Sequence, residues 1–161
     1  MRLPARDHIL FLDASMNGTT VSWYKVGKDI EEMNVDLAPD TEIIKNILDE
    51  TAFRHNGYEE SIEADPFYAD PDDALYTPLK NIAMNRLKGD ELKTKMLEVL
   101  IEDTSDTSHA AWQQYCYLVP QSVGGDTSGL QIPFNVYPVG TRTQGTAAIS
   151  SSGVPAFTAA S

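Results

Sequence analysis

The residues best able to do chemistry in this chain are its carboxylates, and fourteen of the 24 acidic side chains lie within residues 31–73. Two carboxylates facing each other across a cleft are sufficient for glycoside hydrolysis, one acting as acid and the other as base or nucleophile. The acid must also lie in an apolar or like-charged setting that raises its pKa. Because nothing in this cluster distinguishes two carboxylates from the rest, the sequence predicts no catalytic residue and no enzyme.

The other reactive residue types are scattered along the chain. His8, His55 and His109 are not within metal-ligand spacing of one another, so structural roles are expected for them. Cys116 lies in a predicted strand, where a buried inert thiol is a better interpretation than a nucleophile. Residues 70–73, Asp-Pro-Asp-Asp, lack the turn glycine and distal glutamate of a calcium loop. The sequence therefore predicts no metal ion and no cofactor.

The charge of the chain is unevenly distributed. The acidic stretch 31–73 holds only two of the 12 basic residues, Lys45 and Arg54, and so accounts for the net charge of −12. Beyond Asp103 the charged residues are only Asp106, Asp126 and Arg142. A soluble monomer usually intersperses both signs on its surface. The split predicts an assembly in which one surface repels a partner and another is covered by neighbouring copies.

Overall composition indicates one folded domain. The chain has 161 residues, of which 42% are hydrophobic and 22% charged, enough to bury a core without disulfides. Its apolar runs are too short to cross a bilayer, and no signal peptide is expected at its start. A lone cysteine is compatible with folding in a reducing cytosol. A pI near 4.5 argues against ordinary nucleic-acid binding, which needs Lys and Arg, although an acidic protein can still handle DNA by repelling it.

The first third of the chain is predicted to form strands. Residues 9–14 and 20–26 are apolar runs joined through Asn17-Gly18, a dipeptide typical of hairpins. Residues 33–37 alternate apolar and polar side chains, which predicts a half-buried strand with one acidic face. Residues 61–68 form another strand, with Ser61, Glu63 and Asp65 on one face.

Residues 39–57 are ambiguous. Their apolar side chains have partly helical spacing, but the run is short and lacks a second apolar turn. We expect a long excursion between strands that contains one helical turn and ends in a turn at residues 55–58. Exposed apolar residues here would be awkward in a monomer, unless they cover an open end of its own core. The residues concerned are Ile43, Ile44, Ile47, Leu48 and Phe53.

One helix and a β-rich second half complete the expected architecture. Residues 77–88 carry an apolar stripe at helical spacing, and Gly89 stands where a glycine that ends a helix is expected. Four strands are predicted at residues 92–102, 110–119, 128–137 and 141–149. The expected fold is mainly β, a β-sandwich or open barrel of seven or eight strands with one flanking helix, a long inter-strand loop and extended terminal arms. Residues 1–149 form the single domain and residues 150–161 a flexible C-terminal arm.

Three stretches carry a resemblance to a known family: NVDLAPDTEIIKNILDETAFRHNG (34–57), YEESIEADPFYADPDDALYTPLKNIAMNRLKGD (58–90) and VPQSVGGDTSGLQIPFNVYPVGTRTQGTAAI (119–149). Together they resemble the tail tube protein, or major tail protein, of bacteriophages with long non-contractile tails, or of a related prophage. The resemblance covers most of residues 33–149. Its most specific parts are the acidic, aromatic segment 64–76 and the PFNV…GT…QGT pattern near the end.

The resemblance implies a structural virion protein that assembles with itself. Six copies would form a ring, and the rings would stack into a tube through which the genome leaves the virion without specific binding. The implied partners are other copies of the chain, a tape measure protein, and tail terminator or tip proteins, with no membrane. The implied location is the phage tail, after synthesis in the host bacterial cytoplasm.

Two sets of residues are candidates for these roles. The first is Glu32, Asp36, Glu63 and Asp65, carboxylates on strand faces that would line the channel and repel DNA phosphates. The same four residues could instead lie on a solvated outer surface. The second set is the five apolar residues of the excursion, which would stack one ring on the next.

Two other classes of protein remain open on the sequence alone. A monomeric ligand-binding β-sandwich, such as a carbohydrate-binding module, would present an exposed aromatic platform and would not self-associate. A tail-completion protein of the same fold would form one ring that does not stack.

Overall fold

The computed structural model describes residues 2–17, 19–27, 30 and 32–160. Over these residues it contains twelve strands, one α-helix (α1, Tyr76–Asn85) and two short 3-10 helices. The strands are β1 (His8–Asp13), β2 (Trp23–Lys25), β3 (Val35–Asp36), β4 (Pro39–Lys45), β5 (Thr51–Tyr58), β6 (Ser61–Ala64), β7 (Lys93–Leu100), β8 (His109–Pro120), β9 (Gly124–Asp126), β10 (Gly129–Gln131), β11 (Phe134–Ile149) and β12 (Pro155–Ala159).

Eight of the strands form one antiparallel sheet. Their order is β2-β1-β7-β8-β11-β6-β3, and β12 pairs with the far half of β11. β4 with β5, and β9 with β10, form two separate two-stranded sheets. The mainly β class, the eight strands of the main sheet and the flanking helix agree with the predicted β-sandwich or open barrel of seven or eight strands, and the four further strands belong to the two small sheets.

The main core lies between this sheet and α1. Leu79 and Ile82 on the buried side of the helix pack in the same cluster as Leu12, Met96 and Leu118 of the sheet. All five are almost completely buried. Burial of each such side chain contributes about 1.5–3 kcal/mol, so the apolar stripe of α1 fixes the helix to this face.

A second cluster covers part of the opposite sheet face. Phe11, Leu97 and Val99 are buried there, with Trp23 and Phe157 packed against them. β1 and β7 are therefore buried on both faces. This double burial explains why the β1 sequence is a continuous apolar run rather than an alternating one.

The helix is shorter than predicted. It begins at Tyr76, holds Pro78 in its first turn, and ends before Arg86, which adopts a left-handed conformation with φ +52°. Gly89 is not the residue that ends the helix, because it starts the 3-10 helix Gly89–Leu92. Among the described residues, no helix is both long enough and apolar enough to span a bilayer.

The predicted N-terminal pair of strands is confirmed, with a longer connection. β1 and β2 are antiparallel, but β2 is only three residues long. Gly18 of the predicted Asn17-Gly18 turn lies outside the described residues. The side chain of Asn17 accepts hydrogen bonds from the backbone N–H groups of Thr19 and Thr20, both at 3.0 Å.

The C-terminal half differs from the prediction in how its strands are divided. Instead of strands at residues 128–137 and 141–149, the chain forms the small β9–β10 hairpin and one continuous strand, β11. Pro133 lies between β10 and β11, where its missing N–H interrupts no ladder. The register of β11 against β8 shifts between Val139 and Thr143, which marks a β-bulge.

The prediction of a flexible arm over residues 150–161 is wrong for its greater part. Residues 155–159 form β12, in which Phe157 pairs with Ala147 of β11. Gly145 permits the close approach, because a Cβ there would overlap the carbonyl oxygen of Thr158. The small polar residues 150–153 form a tight turn that returns the chain to the sheet, with the Gly153 N–H donating to the Ser150 carbonyl at 2.9 Å. Ser161 lies outside the described residues.

Candidate functional site

Pairing of β3 with β6 brings two distant acidic segments together. Asp36 lies directly opposite Ser61, and Glu63 follows on the same face of β6. The neighbours Ile62 and Ala64 point the other way and are buried, as the alternation of the sequence predicts. The surface that carries Asp36 and Glu63 is therefore the sheet face opposite α1, which we call the open face.

The four predicted channel residues line one groove at the edge of the open face. The groove has a volume of about 690 Å³ and is lined by Glu32, Asn34, Asp36, Ser61, Glu63, Asp65, Pro66 and Tyr68. All four carboxylates are exposed. Within the described part of the chain, no basic side chain lines this acidic groove or makes an ion pair with its carboxylates.

Local hydrogen bonds between residues two apart in sequence organise one side of the acidic groove. The amide of Asn34 donates to Glu32 at 2.9 Å, and the Asp36 carboxylate accepts the backbone N–H of Ala38 at 3.1 Å. These contacts hold the carboxylates without neutralising them. Like charges in one concave surface create a negative potential that repels phosphates and attracts cations.

Farther from this edge, the open face carries aromatic and basic side chains. Asn135 of β11 lies opposite Glu63, and Tyr137 lies opposite Tyr117 of β8. Tyr117 in turn lies opposite Lys93 of β7. The face therefore changes from acidic to aromatic to basic across five strands.

The aromatic and basic part of the open face was not found by sequence reasoning. Lys93 and Lys95 place their ammonium groups 4.7 and 5.8 Å from the ring centre of Tyr115, within cation–π distance. Tyr117 donates a hydrogen bond to Asp90 at 3.0 Å, which raises the pKa of the tyrosine. The available signal was the alternation Lys-Thr-Lys in β7 and Tyr-Cys-Tyr in β8, which places each pair on one face.

The excursion over residues 39–57 is a β-hairpin that stands apart from the main sheet. β4 and β5 pair only with each other, in a register that sets Ile43 opposite Phe53 and Ile44 opposite Ala52. The predicted excursion is confirmed, whereas the predicted helical turn and the turn at residues 55–58 are wrong. The β-branched residues of β4 favour a strand and outweigh the helical spacing of the apolar positions.

A compact turn closes this hairpin. The side-chain oxygen of Asn46 accepts the backbone N–H groups of Leu48 and Glu50 at 2.9 and 3.0 Å, and Asp49 takes a left-handed conformation. Asparagine and aspartate are suited to these roles because both tolerate such conformations and bond to nearby backbone. The turn leaves the side chains of Ile47 and Leu48 pointing outward.

The hairpin exposes large apolar side chains. Ile47 is fully exposed, and Ile43, Leu48 and Phe53 are 74%, 72% and 67% exposed; Ile44 is partly buried. These exposures contradict the alternative in which the residues cover an end of the domain's own core. An isolated two-stranded hairpin is only marginally stable in water, and exposed apolar clusters mark interaction surfaces. The hairpin therefore has the exposed apolar composition that is typical of an interaction surface.

A charged cluster that the sequence did not reveal lies where β1, β7 and β11 meet. The buried carboxylate of Glu98 is hydrogen-bonded to His8 and to the guanidinium of Arg142. The β11 bulge presents Arg142 to this site, and its guanidinium carbon lies 5.4 Å from the ring centre of Trp112. Gln114 holds the bulge, since its amide donates to the Gly140 carbonyl at 3.4 Å.

The protonation states in this cluster are coupled. The hydrogen bond to Glu98 raises the pKa of His8 above its usual range, although partial burial opposes it. Burial alone would raise the pKa of Glu98, but hydrogen bonds from His8 and Arg142 outweigh it and lower that pKa. The cluster therefore favours a charged histidine, a charged carboxylate and a charged arginine together.

The remaining reactive residues have structural surroundings. Cys116 is buried, and this burial raises the pKa of its thiol to about 12, so the predicted inert, buried thiol is confirmed. The ring of His55 contacts that of Tyr58 at 4.7 Å. Among the described residues, no group of three or more His, Cys, Asp or Glu side chains is arranged to hold a metal ion.

Neither a protein-family model nor a curated protein matches this chain. Its function is therefore argued from its own surfaces. Those surfaces are the acidic groove on the open face and the apolar hairpin that stands apart from the sheet. The core lies elsewhere and leaves both accessible.

Proposed function

We propose that this protein is the subunit of a bacteriophage tail tube, in which hexameric rings stack and conduct the genome. The observation that carries the proposal is the convergence of Glu32, Asp36, Glu63 and Asp65 in one groove without a basic partner among the described residues. The hexameric ring and the stacking of rings are what the resemblance of residues 33–149 to tail tube proteins implies. The tube would also contact a tape measure protein and terminator or tip proteins at its ends.

The open face is the proposed wall of the channel. Carboxylates facing DNA phosphates across a channel repel them at distances up to about the Debye length, roughly 8–10 Å in physiological salt. Such a wall makes no contacts that a moving duplex would have to break. Lys93 and Lys95 reduce the negative charge of the face without reversing it, since the acidic groove and Asp90 contribute more charges of the opposite sign.

The uncharged remainder of the chain suits contacts around the ring. Beyond Asp103 three charged residues remain in the sequence, so β8, β11 and β12 present mostly neutral surfaces. Burying neutral surface avoids the cost of removing unpaired charges from water. A ring requires head-to-tail contacts that close on rotation, and a stack requires a second contact along the axis. The exposed hairpin is the proposed axial contact.

The test is the state of assembly of the purified protein. Light scattering after size-exclusion chromatography, with electron microscopy of the same fractions, should show rings and stacked tubes with a central channel. A monomer that binds oligosaccharides on its tyrosine-rich surface would instead support the ligand-binding module, and single rings that never stack would support a tail-completion protein. Either result would overturn the proposed tube.

A further inference from the structure

A second groove lies beside the N-terminal strand. It has a volume of about 570 Å³. Its apolar lining combines buried and half-buried side chains, and its rim carries two basic ones. The apolar lining includes Ile9, Val26, Ile30 and Met33, and the two basic residues are Arg6 and Lys25. We call this surface the N-terminal groove.

The basic rim of the N-terminal groove is unusual in so acidic a protein. Arg6 and Lys25 are both exposed, and neither makes an ion pair with any residue that the structure describes. Half-buried Ile30 and Met33 line the same groove. An apolar floor with an unpaired basic rim fits an apolar segment that carries negative charge.

The tip of the β4–β5 hairpin has that chemistry. Ile47 is fully exposed and Leu48 is 72% exposed, and Asp49 and Glu50 follow them directly. Lys45 lies 3.2 Å from Asp49, but both side chains are largely exposed, and such a surface pair contributes little and exchanges partners easily. The tip therefore presents two apolar side chains beside an acidic pair.

We propose that the N-terminal groove receives the hairpin tip of a second copy of this chain. Ile47 is fully exposed and so contacts nothing in its own chain, which leaves it free to enter a neighbour. Because tip and groove are different surfaces, the contact is head-to-tail and can repeat indefinitely. The inference rests on the proposed function, in which this contact joins one ring to the next.

Charge exchange tests the contact. Arg6→Glu with Lys25→Glu reverses the groove, and Asp49→Lys with Glu50→Lys reverses the tip. Each pair of substitutions alone should raise the concentration needed for polymerisation by at least about tenfold, because like charges then face each other. All four together should restore tubes. Lys80→Glu with Lys88→Glu, and Glu102→Lys with Asp106→Lys, make the same charge changes at exposed positions elsewhere and should polymerise normally.

A mixture of the two reversed proteins gives an independent result. Each variant keeps one native surface, so the native tip of one can enter the native groove of the other. The reversed tip of the second can likewise enter the reversed groove of the first, as in the fourfold variant, so the mixture should grow into tubes in which the two proteins alternate. A mixture that polymerises no better than either variant alone would overturn the inference.

A disulfide provides a test that does not depend on charge. Leu48→Cys with Ile30→Cys in one chain should give a ladder of covalent multimers after mild oxidation, whereas each single substitution gives at most dimers. The native Cys116 is buried and should not contribute. Normal tubes from the groove-reversed protein, or double-cysteine tubes without a ladder, would overturn the inference and leave the proposed function intact. A native protein that stays monomeric at all concentrations would overturn both.

Discussion

At the scale of single residues, the cluster of His8, Glu98 and Arg142 has the strongest consequences for stability. Glu98 has only 11% of its side chain exposed, and its charge is compensated by two partners from distant parts of the chain. Removing one partner of a buried ion pair is costly because the remaining charge stays desolvated. The cluster also ties the N-terminal strand to β7 and to the β11 bulge.

The raised pKa of His8 and the lowered pKa of Glu98 predict a pH window for this stabilisation. The contribution of His8 is full below its ordinary pKa of 6.5 and is lost as the pH rises through the raised native value. The contribution of Glu98 is present above its ordinary pKa of 4.5 and is lost as the pH falls through the lowered native value. The cluster should therefore contribute most to the free energy of unfolding between the ordinary pKa of glutamate, 4.5, and the ordinary pKa of histidine, 6.5.

His8→Gln should reduce the loss of unfolding free energy that the native protein shows as the pH rises above the ordinary pKa of His8. Urea unfolding at several pH values should show the native protein losing stability as the pH rises above His8's ordinary pKa, with a smaller loss in the variant. His55→Gln, at an exposed position on the hairpin, is the matched control and should keep the native profile. Parallel profiles for the native protein and His8→Gln would contradict the prediction.

Arg142→Met should destabilise the fold by about 2 kcal/mol. Loss of one partner from a buried pair typically costs about 3–5 kcal/mol, and the cost is smaller here because Arg142 is 32% exposed and His8 remains bonded to Glu98. Adding Glu98→Gln should recover part of the loss, since no unpaired charge is then buried. Denaturant unfolding of both single variants and the double variant measures the coupling. Simple additivity would show that the two side chains are not coupled.

At the scale of secondary-structure elements, the β4–β5 hairpin is the element least supported by its own domain. It pairs with no strand of the main sheet, and its apolar side chains face solvent. A two-stranded sheet of this kind gains little from its own packing. The hairpin therefore adds little to the stability of the domain, and in the proposed tube its contribution lies in association.

Ile47→Glu with Leu48→Glu should abolish polymerisation and leave the domain folded. Both side chains are exposed, so the free energy of unfolding should change by less than about 0.5 kcal/mol. Sedimentation measures polymer, and thermal unfolding monitors the domain. Met84→Glu with Val154→Glu places the same charges at exposed apolar positions elsewhere and should polymerise normally. If the hairpin variant loses folding cooperativity, the two residues belong to the core and the stacking role is wrong.

At the scale of the whole molecule, the sheet separates two functions between its faces. One face buries the main core under α1, and the other leaves an acidic groove and a tyrosine–lysine surface accessible. The acidic groove and the tyrosine–lysine surface lie outside the second core cluster on that face, so their exposed charges cost little stability. In the proposed tube, this acidic surface faces the DNA.

Reversing Glu32, Asp36, Glu63 and Asp65 to lysine should alter DNA handling and not assembly. Exposed carboxylates contribute little to stability, so tubes should still form, but their channels should now bind phosphates and release counterions. The reversed tubes should retain duplex DNA in a manner that weakens with salt, and a phage that carries them should eject its genome slowly. Neutral Gln and Asn replacements at the same positions are the control and should retain little DNA. DNA retention equal to that of the native tube would contradict an acidic channel.

Local patterns in the sequence determined the class of fold and much of its layout. Alternating or continuous apolar runs placed β1, β7 and β8 within two residues of their ends, because side-chain periodicity depends only on the strand itself. The stripe of Leu79, Ile82 and Ala83 identified the helix for the same reason. Alternation also placed Glu63 on an exposed face of β6.

The tertiary structure alone decided which of these segments meet. The acidic groove exists because β3 pairs with β6, and the charged cluster joins His8, Glu98 and Arg142 across the whole chain. No local pattern specifies such pairing, since strand partners and register depend on hydrogen bonds and packing between residues far apart in sequence. The hairpin and β12 differed from prediction for a related reason. A short apolar segment has no decisive period of its own, and its structure depends on the strand that lies beside it.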